Sequence, residues 1–229
     1  VSVPETRPDG RLPLRVGQVP GLTVTKWRRI WAERFPRSPL EVVDTTVAAQ
    51  RAALADGTVD LCFVRLPIDS AGLHAIPLYD EVPVVVAPRE HPAAAFDELS
   101  LADLAGEPRL VDDETPEAFE RVAWGQGLLL VPLSVARTQS RRDLVHRPVV
   151  DAAPTTVALA WLADNPDERI EEFIGIVRGR SANSSRTARE RSDRTATAGT
   201  SVPAKQSGTA ANGRRPRSGG RGRKPGRSR

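Results

Sequence analysis

The sequence predicts an α/β fold built around a parallel sheet, followed by a segment with no fold of its own. Three observations carry this expectation. Apolar strands alternate with amphipathic helices in the order β-α-β-α-β across residues 14–66, and that order calls for parallel strands joined by right-handed crossovers. Residues 61–66 and 82–87 are apolar runs broken only by Arg65 and Pro83, as expected of strands covered on both faces. Finally, the charge changes sign near residue 180. Residues 180–229 carry fourteen Lys or Arg against Glu190 and Asp193, a net of +12, so the whole-chain net of +4 leaves −8 for residues 1–179.

Residues 1–11, with Pro4, Pro8 and Gly10 among charges, read as a flexible lead-in. Leu14, Val16 and Val19 make a first strand, which Pro20-Gly21 stops because proline lacks the N–H that a central strand needs. Thr23 or Thr25 is placed to cap a helix over 24–35. Its Val24, Trp27, Ile30, Trp31 and Phe35 recur at spacings of three and four, opposite Arg28, Arg29 and Glu33. Pro36 and Pro39 end it. A strand over 40–43 leads to an alanine-rich helix over 46–56, with Gly57 as the residue just past its C-cap. The buried strand 61–66 follows. Leu78-Tyr79 and then 82–87 read as strand, 101–104 as a short helix, 109–111 as a brief strand and 116–124 as a helix. Gly125-Gln126-Gly127 turns that helix into a strand over 128–131. An edge segment over 145–150, a strand over 156–162 and an amphipathic helix over 168–177, carrying Ile170, Phe173, Ile174 and Val177, complete the body. After Gly179 the periodicity ends, and little aliphatic bulk remains apart from Val202. Such a segment cannot offset about 1–2 kcal/mol of backbone ordering entropy per residue, so 179–229 is expected to be a disordered basic tail.

Four Trp, five Phe and one Tyr leave most burial to Val, Leu and Ala. The single cysteine, Cys62, excludes an intrachain disulfide and, set in Leu61-Cys62-Phe63-Val64, reads as a buried inert thiol. No stretch approaches the roughly 20 apolar residues of a membrane span, and no export signal opens the chain, so a cytoplasmic location is expected. Val1 in place of methionine points to a non-standard start or a removed initiator. Little points to catalysis. His74, His91 and His146 are scattered at no metal-ligand spacing, and neither a G-x-S-x-G turn nor a phosphate-cradling glycine loop with its lysine is present. Asp112-Asp113-Glu114 can attract a cation, but three adjacent loop carboxylates read more plainly as a solvated cluster. No enzyme activity, metal or cofactor is expected.

Four local stretches carry a resemblance. They are LRVGQVPGLT at 14–23, AALADGTVDLCFVRLP at 52–67, LYDEVPVVVAPREHPAA at 78–94 and VAWGQGLLLVPLSVA at 122–136. In this order they resemble the effector-binding domain of LysR-type transcriptional regulators. The resemblance implies the two-lobed fold of type 2 periplasmic binding proteins, with a small-molecule effector in the cleft between lobes. By the same analogy lobe I is 12–88 plus 155–178 and lobe II is 89–150. Two departures stand out. The family places a winged helix-turn-helix and a linker helix before this domain, where eleven residues precede the first strand here. The second lobe is also short, with room for one helix between Val111 and Gly125.

On that fold the ligand site lies where strand ends and helix N-termini converge, and their backbone N–H groups suit a carboxylate or phosphate. The loop 18–23 is the first candidate. Gln18 and Thr23 offer polar side chains and Gly21 allows close backbone approach. Arg65, the lone charge in a buried strand, suits an anionic ligand or pairs with Asp60 or Asp69. Trp124 and Gln126 line the second-lobe wall, unless Trp124 belongs to the core. Trp27 and Trp31, one turn apart, form either a homodimer surface on the Val24-to-Phe35 helix or a plain core stripe.

The terminal RSGGRGRKPGRSR at 217–229 resembles an AT-hook, with Arg221-Gly222-Arg223 as its core, although Lys224 intervenes before Pro225. A glycine-flanked arginine pair fits the strong negative potential of a narrow minor groove. Arg217, Arg221, Gly222, Arg223, Lys224 and Arg227 are therefore the candidate DNA contacts, by A·T preference or by plain polyanion attraction, RNA included. The function expected is a nucleoid-associated regulator that binds an anionic effector and contacts DNA through its tail. The competing reading is a solute-binding or protein-interaction module without DNA function, or a domain that has lost its ligand.

Overall fold

The computed structural model describes residues 12–111 and 114–179. In chain order they form β1 (Leu14–Gln18), α1 (Thr25–Arg34), β2 (Leu40–Asp44), α2 (Gln50–Ala55), β3 (Leu61–Arg65), β4 (Leu73–Glu81), β5 (Pro83–Pro88), β6 (Arg109–Leu110), α3 (Pro116–Ala123), β7 (Leu128–Pro132), α4 (Leu133–Thr138), β8 (Leu144–Pro148), β9 (Thr155–Leu162) and α5 (Arg169–Val177). Two sheets result. The first runs β2-β1-β3-β9-β4 and the second β6-β7-β5-β8.

In the first sheet β1 pairs in parallel with both β2 and β3, the arrangement that the β-α-β-α-β order requires. The chain later returns as β9, which is antiparallel to both β3 and β4 and sits between them. The uninterrupted apolar character of β3 follows from its two covered faces. Leu61 and Phe63 pack with Trp31, Phe173 and Ile174 of α1 and α5, while Cys62 and Val64 pack under Ala53 and Leu54 of α2. In α1 the two tryptophans turn inward. Trp27 stacks on Phe63 at 4.8 Å, and Trp31 lies against Phe35 and Phe173 and donates its Nε1–H to the Ser38 carbonyl at 2.6 Å. The core-stripe reading thus describes both. Neither threonine caps this helix, since Val24 occupies the N-cap without a side-chain bond.

The second sheet is covered on one face by Ala118, Phe119 and Val122 of α3 with Val135 and Ala136 of α4. Ala93, Leu99 and Leu104 cover its other face. β5 runs antiparallel between β7 and β8. Residues 83–88, which the analogy groups with lobe I, therefore pair within the second sheet, and the chain first crosses between the sheets at Val82. Its pairing partners, β7 and β8, are what assign β5 to that sheet.

Several boundaries also move. Residues 47–49 are a turn and α2 begins at Gln50, although Gly57 does take the left-handed conformation just past the C-cap, at φ 71°. β4 starts at Leu73, well before Leu78, as an edge strand that tolerates Pro77 beside a register shift. Residues 101–104 form turns rather than a helix. The six-residue α4 is too short to show a helical period. No helix among the described residues is long and apolar enough to cross a membrane.

Candidate functional site

Where the two sheets meet, one guanidinium gathers groups from four segments. Arg65 ends β3 with its side chain only 3% exposed. Its Nε–H donates to Glu81 Oε2 at 2.7 Å, its Nη1 to Glu114 Oε2 at 2.8 Å, and its Nη2 to the Pro20 carbonyl at 2.7 Å and to Ser134 Oγ at 3.2 Å. The Ser134 hydroxyl donates in turn to Glu81 Oε1. Pro20 belongs to the β1–α1 loop and Glu81 to the end of β4 at the crossover. Glu114 precedes α3 and Ser134 lies at the start of α4, both beside the second sheet. Arg65 thus bridges the lobes.

Its position is fixed through the backbone. Gln50, itself buried, donates Nε2–H to the Arg65 carbonyl and accepts from the Arg65 N–H, both at 2.9 Å. A side-chain amide here completes the ladder on the side of β3 that β9 does not occupy at this residue. The lobes touch again at Gly21, whose φ is 81°. A methyl group at Gly21 would stand 2.7 Å from both Ser134 Oγ and the Val135 nitrogen. Glycine is required there by backbone conformation and by contact together.

In this cluster two carboxylates already face the one guanidinium. Burial pushes the Glu114 carboxyl above its ordinary range, Arg65 pulls it down, and Glu81 adds to the rise. Tyr79 is raised by burial first and then by Glu81, with Arg65 opposing. Cys62 lies remote from solvent beneath α2, where burial pushes its thiol up to about 12. Among the described residues no group of His, Cys, Asp and Glu is arranged to hold a metal ion.

The residues singled out by sequence reach different fates. Arg65 and Gly21 lie at the lobe contact, but the close approach at Gly21 is to Ser134 of the protein. The ion-pair reading of Arg65 named the wrong acids, since Asp60 accepts from the Arg15 N–H and guanidinium at 2.7 Å and Asp69 faces Arg51 at 4.0 Å. Gln18 donates to Asp44 Oδ1 at 2.8 Å, its Oε1 buried without a partner among the described residues. Thr23 is exposed. Trp124 is 70% exposed, and Gln126 accepts from Arg121 at 3.3 Å. Neither takes part in the hydrogen bonds around Arg65. Glu114, read as part of a solvated trio, is instead drawn to Arg65. Glu81, Gln50 and Ser134 were missed, because their link to Arg65 spans 15 to 69 residues of sequence. The tail candidates Arg217, Arg221, Gly222, Arg223, Lys224 and Arg227 lie outside the described residues.

Comparison with known proteins agrees with this architecture. The family described as LysR substrate binding domain matches residues 6–121. A probable hydrogen peroxide-inducible genes activator of Mycobacterium avium is 37% identical over 83 residues, 36% of this chain and 27% of that protein. The Hca operon transcriptional activator HcaR of Escherichia coli is 25% identical over 203 residues, 74% of this chain and 68% of that protein. These relatives are transcriptional regulators rather than enzymes, and the chain spans about a quarter of the first. Among solved structures, the BenM effector binding domain with its effector benzoate superposes with a TM-score of 0.61 at 22% identity, covering 76% of this chain and 93% of that one. The reduced form of OxyR gives 0.61 at 23% identity, covering 73% and 95%. The fold is therefore the two-lobed α/β fold of these effector-binding domains.

Proposed function

Because the chain belongs to the LysR substrate binding domain family, we propose that it binds a small anionic effector at the crevice between its lobes and serves in transcription regulation. One observation carries this reading. Arg65 is a buried cation held where both lobes and the crossover converge, so an anion reaching it would bias how the lobes close. Gly21 of the first-lobe loop lies directly against Ser134 and Val135 of α4. The solved BenM effector binding domain with its effector benzoate supports a carboxylate as the charged group. A peroxide-sensing role through Cys62 is not favoured, because a thiol raised to about 12 and packed in the core is a poor nucleophile.

Thermal unfolding of the full chain across a panel of carboxylates and phosphates tests the proposal. An effector at 100 times its Kd adds about 2.7 kcal/mol, and Arg65→Gln removes that shift. A panel without any shift would count against effector binding and favour a protein-interaction module instead. The basic segment is proposed to attract nucleic acid by charge, with or without A·T preference. Self-association through α1 would use its exposed Arg28, Arg29, Ala32 and Glu33, since the tryptophans face inward.

A further inference from the structure

The acid that reaches Arg65 from the second lobe is unlike the other one. Glu81 is as buried as Arg65, at 4% side-chain exposure, and is held from two sides, by Nε–H and by the Ser134 hydroxyl. Glu114 is 21% exposed and precedes α3 instead of lying within a strand or helix. Its carboxylate has one hydrogen-bond partner among the described contacts, Nη1 of Arg65 at 2.8 Å. Glu81 therefore belongs to the frame of the cluster, whereas Glu114 is the more exposed and more singly held of the two carboxylates on the guanidinium. A bound acid would place its own carboxylate where that of Glu114 lies.

We propose that the Glu114 carboxylate is an internal stand-in for the effector and competes with it for Arg65. The inference rests on the effector reading above and adds to it a built-in competitor. Two physical features support displacement. The contact is a single charge-assisted hydrogen bond, without the paired geometry that makes Arg–carboxylate recognition strong. Burial also penalises this carboxylate more than Arg65 compensates it, so a ligand that brings apolar surface as well as charge holds the advantage. The competitor lowers apparent affinity by the fraction of molecules in which Arg65 is already occupied. An acid must outbid Glu114 to bind, and in doing so it releases one of the second lobe's two links to Arg65, while the Ser134 and Glu81 links stay.

The test is titration of the full chain and its Glu114→Ala variant with benzoate, with acetate as a smaller probe and benzyl alcohol as the neutral control, at constant ionic strength. Removing the competitor is expected to tighten benzoate binding at least tenfold, to leave benzyl alcohol unchanged, and to give acetate a smaller gain. Glu114→Gln, which keeps the side chain's shape, guards against loss of fold and is expected to move affinity in the same direction. Equal or weaker benzoate binding in both folded variants overturns the inference. If the wild-type chain responds to some anion of the panel and the variants respond no better, competition fails while effector binding stands. If no anion affects any of the three proteins, both readings fall.

Discussion

At the scale of single residues, Gly21 and Gly57 separate two roles that a positive φ can have. Both take left-handed conformations, at φ 81° and 71°, but a methyl group at Gly57 meets nothing within 4 Å whereas at Gly21 it meets Ser134 and the Val135 backbone. Gly57→Ala is expected to cost ~1 kcal/mol, the conformational penalty alone. Gly21→Ala adds an overpacking cost of about 1–3 kcal/mol, and urea unfolding of the two variants reads the difference. Glu114 supplies a pH signature. Its folded carboxyl is raised above the unfolded one, so its contribution is fully present below the ordinary glutamate range and is lost as the pH rises through the folded value. Glu114→Gln mimics the protonated form. The variant should match wild type near pH 4 and exceed it in urea midpoint near neutrality; a lower midpoint at neutral pH would show that the pairing with Arg65 outweighs burial.

At the scale of elements, β3 is the member on which both the core and the site depend. Its alternate side chains enter two separate clusters, and its last residue reaches the lobe contact. The clamp from Gln50 joins the start of α2 to that last residue. Gln50→Ala leaves a buried N–H and a buried C=O of Arg65 without their partners, at a cost of ~1–3 kcal/mol for each unsatisfied group. Loss of urea stability together with loss of any effector response is the expected outcome, since Arg65 would no longer be held in register. The apolar runs of β3 and β5 and the glycine past α2 were legible in the sequence because burial on both faces and left-handed backbone leave compositional marks. The first half of β4 left no such mark, being a half-exposed edge, and α4 is shorter than two helical turns.

At the scale of the whole molecule, two chains of different chemistry share one sequence. Residues 1–179 carry a net −8 and residues 180–229 a net +12. If six to ten of those cations engage phosphates, DNA affinity should fall about a thousandfold or more between 50 and 200 mM salt. Filter binding of the full chain and of residues 1–179 across that range checks it. Retention that is equal for the two would remove the basic segment from the account. The lobe organisation depends on the same scale, since β5 and β9 are each placed by partners far away in sequence.

What the amino-acid order determined by itself is everything governed by local periodicity and composition. That covers the α/β class, the parallel β1–β3 unit, the existence of an aromatic stripe on α1, the charge division and the choice of Arg65 and Gly21 as residues that needed a reason. What only the tertiary structure decided is which groups meet: Glu81, Glu114, Ser134 and Gln50 around Arg65. The physical reason is that a buried guanidinium must be satisfied by whichever acceptors the crossover brings within about 3 Å, and the crossover joins segments whose separation along the chain carries no local signal.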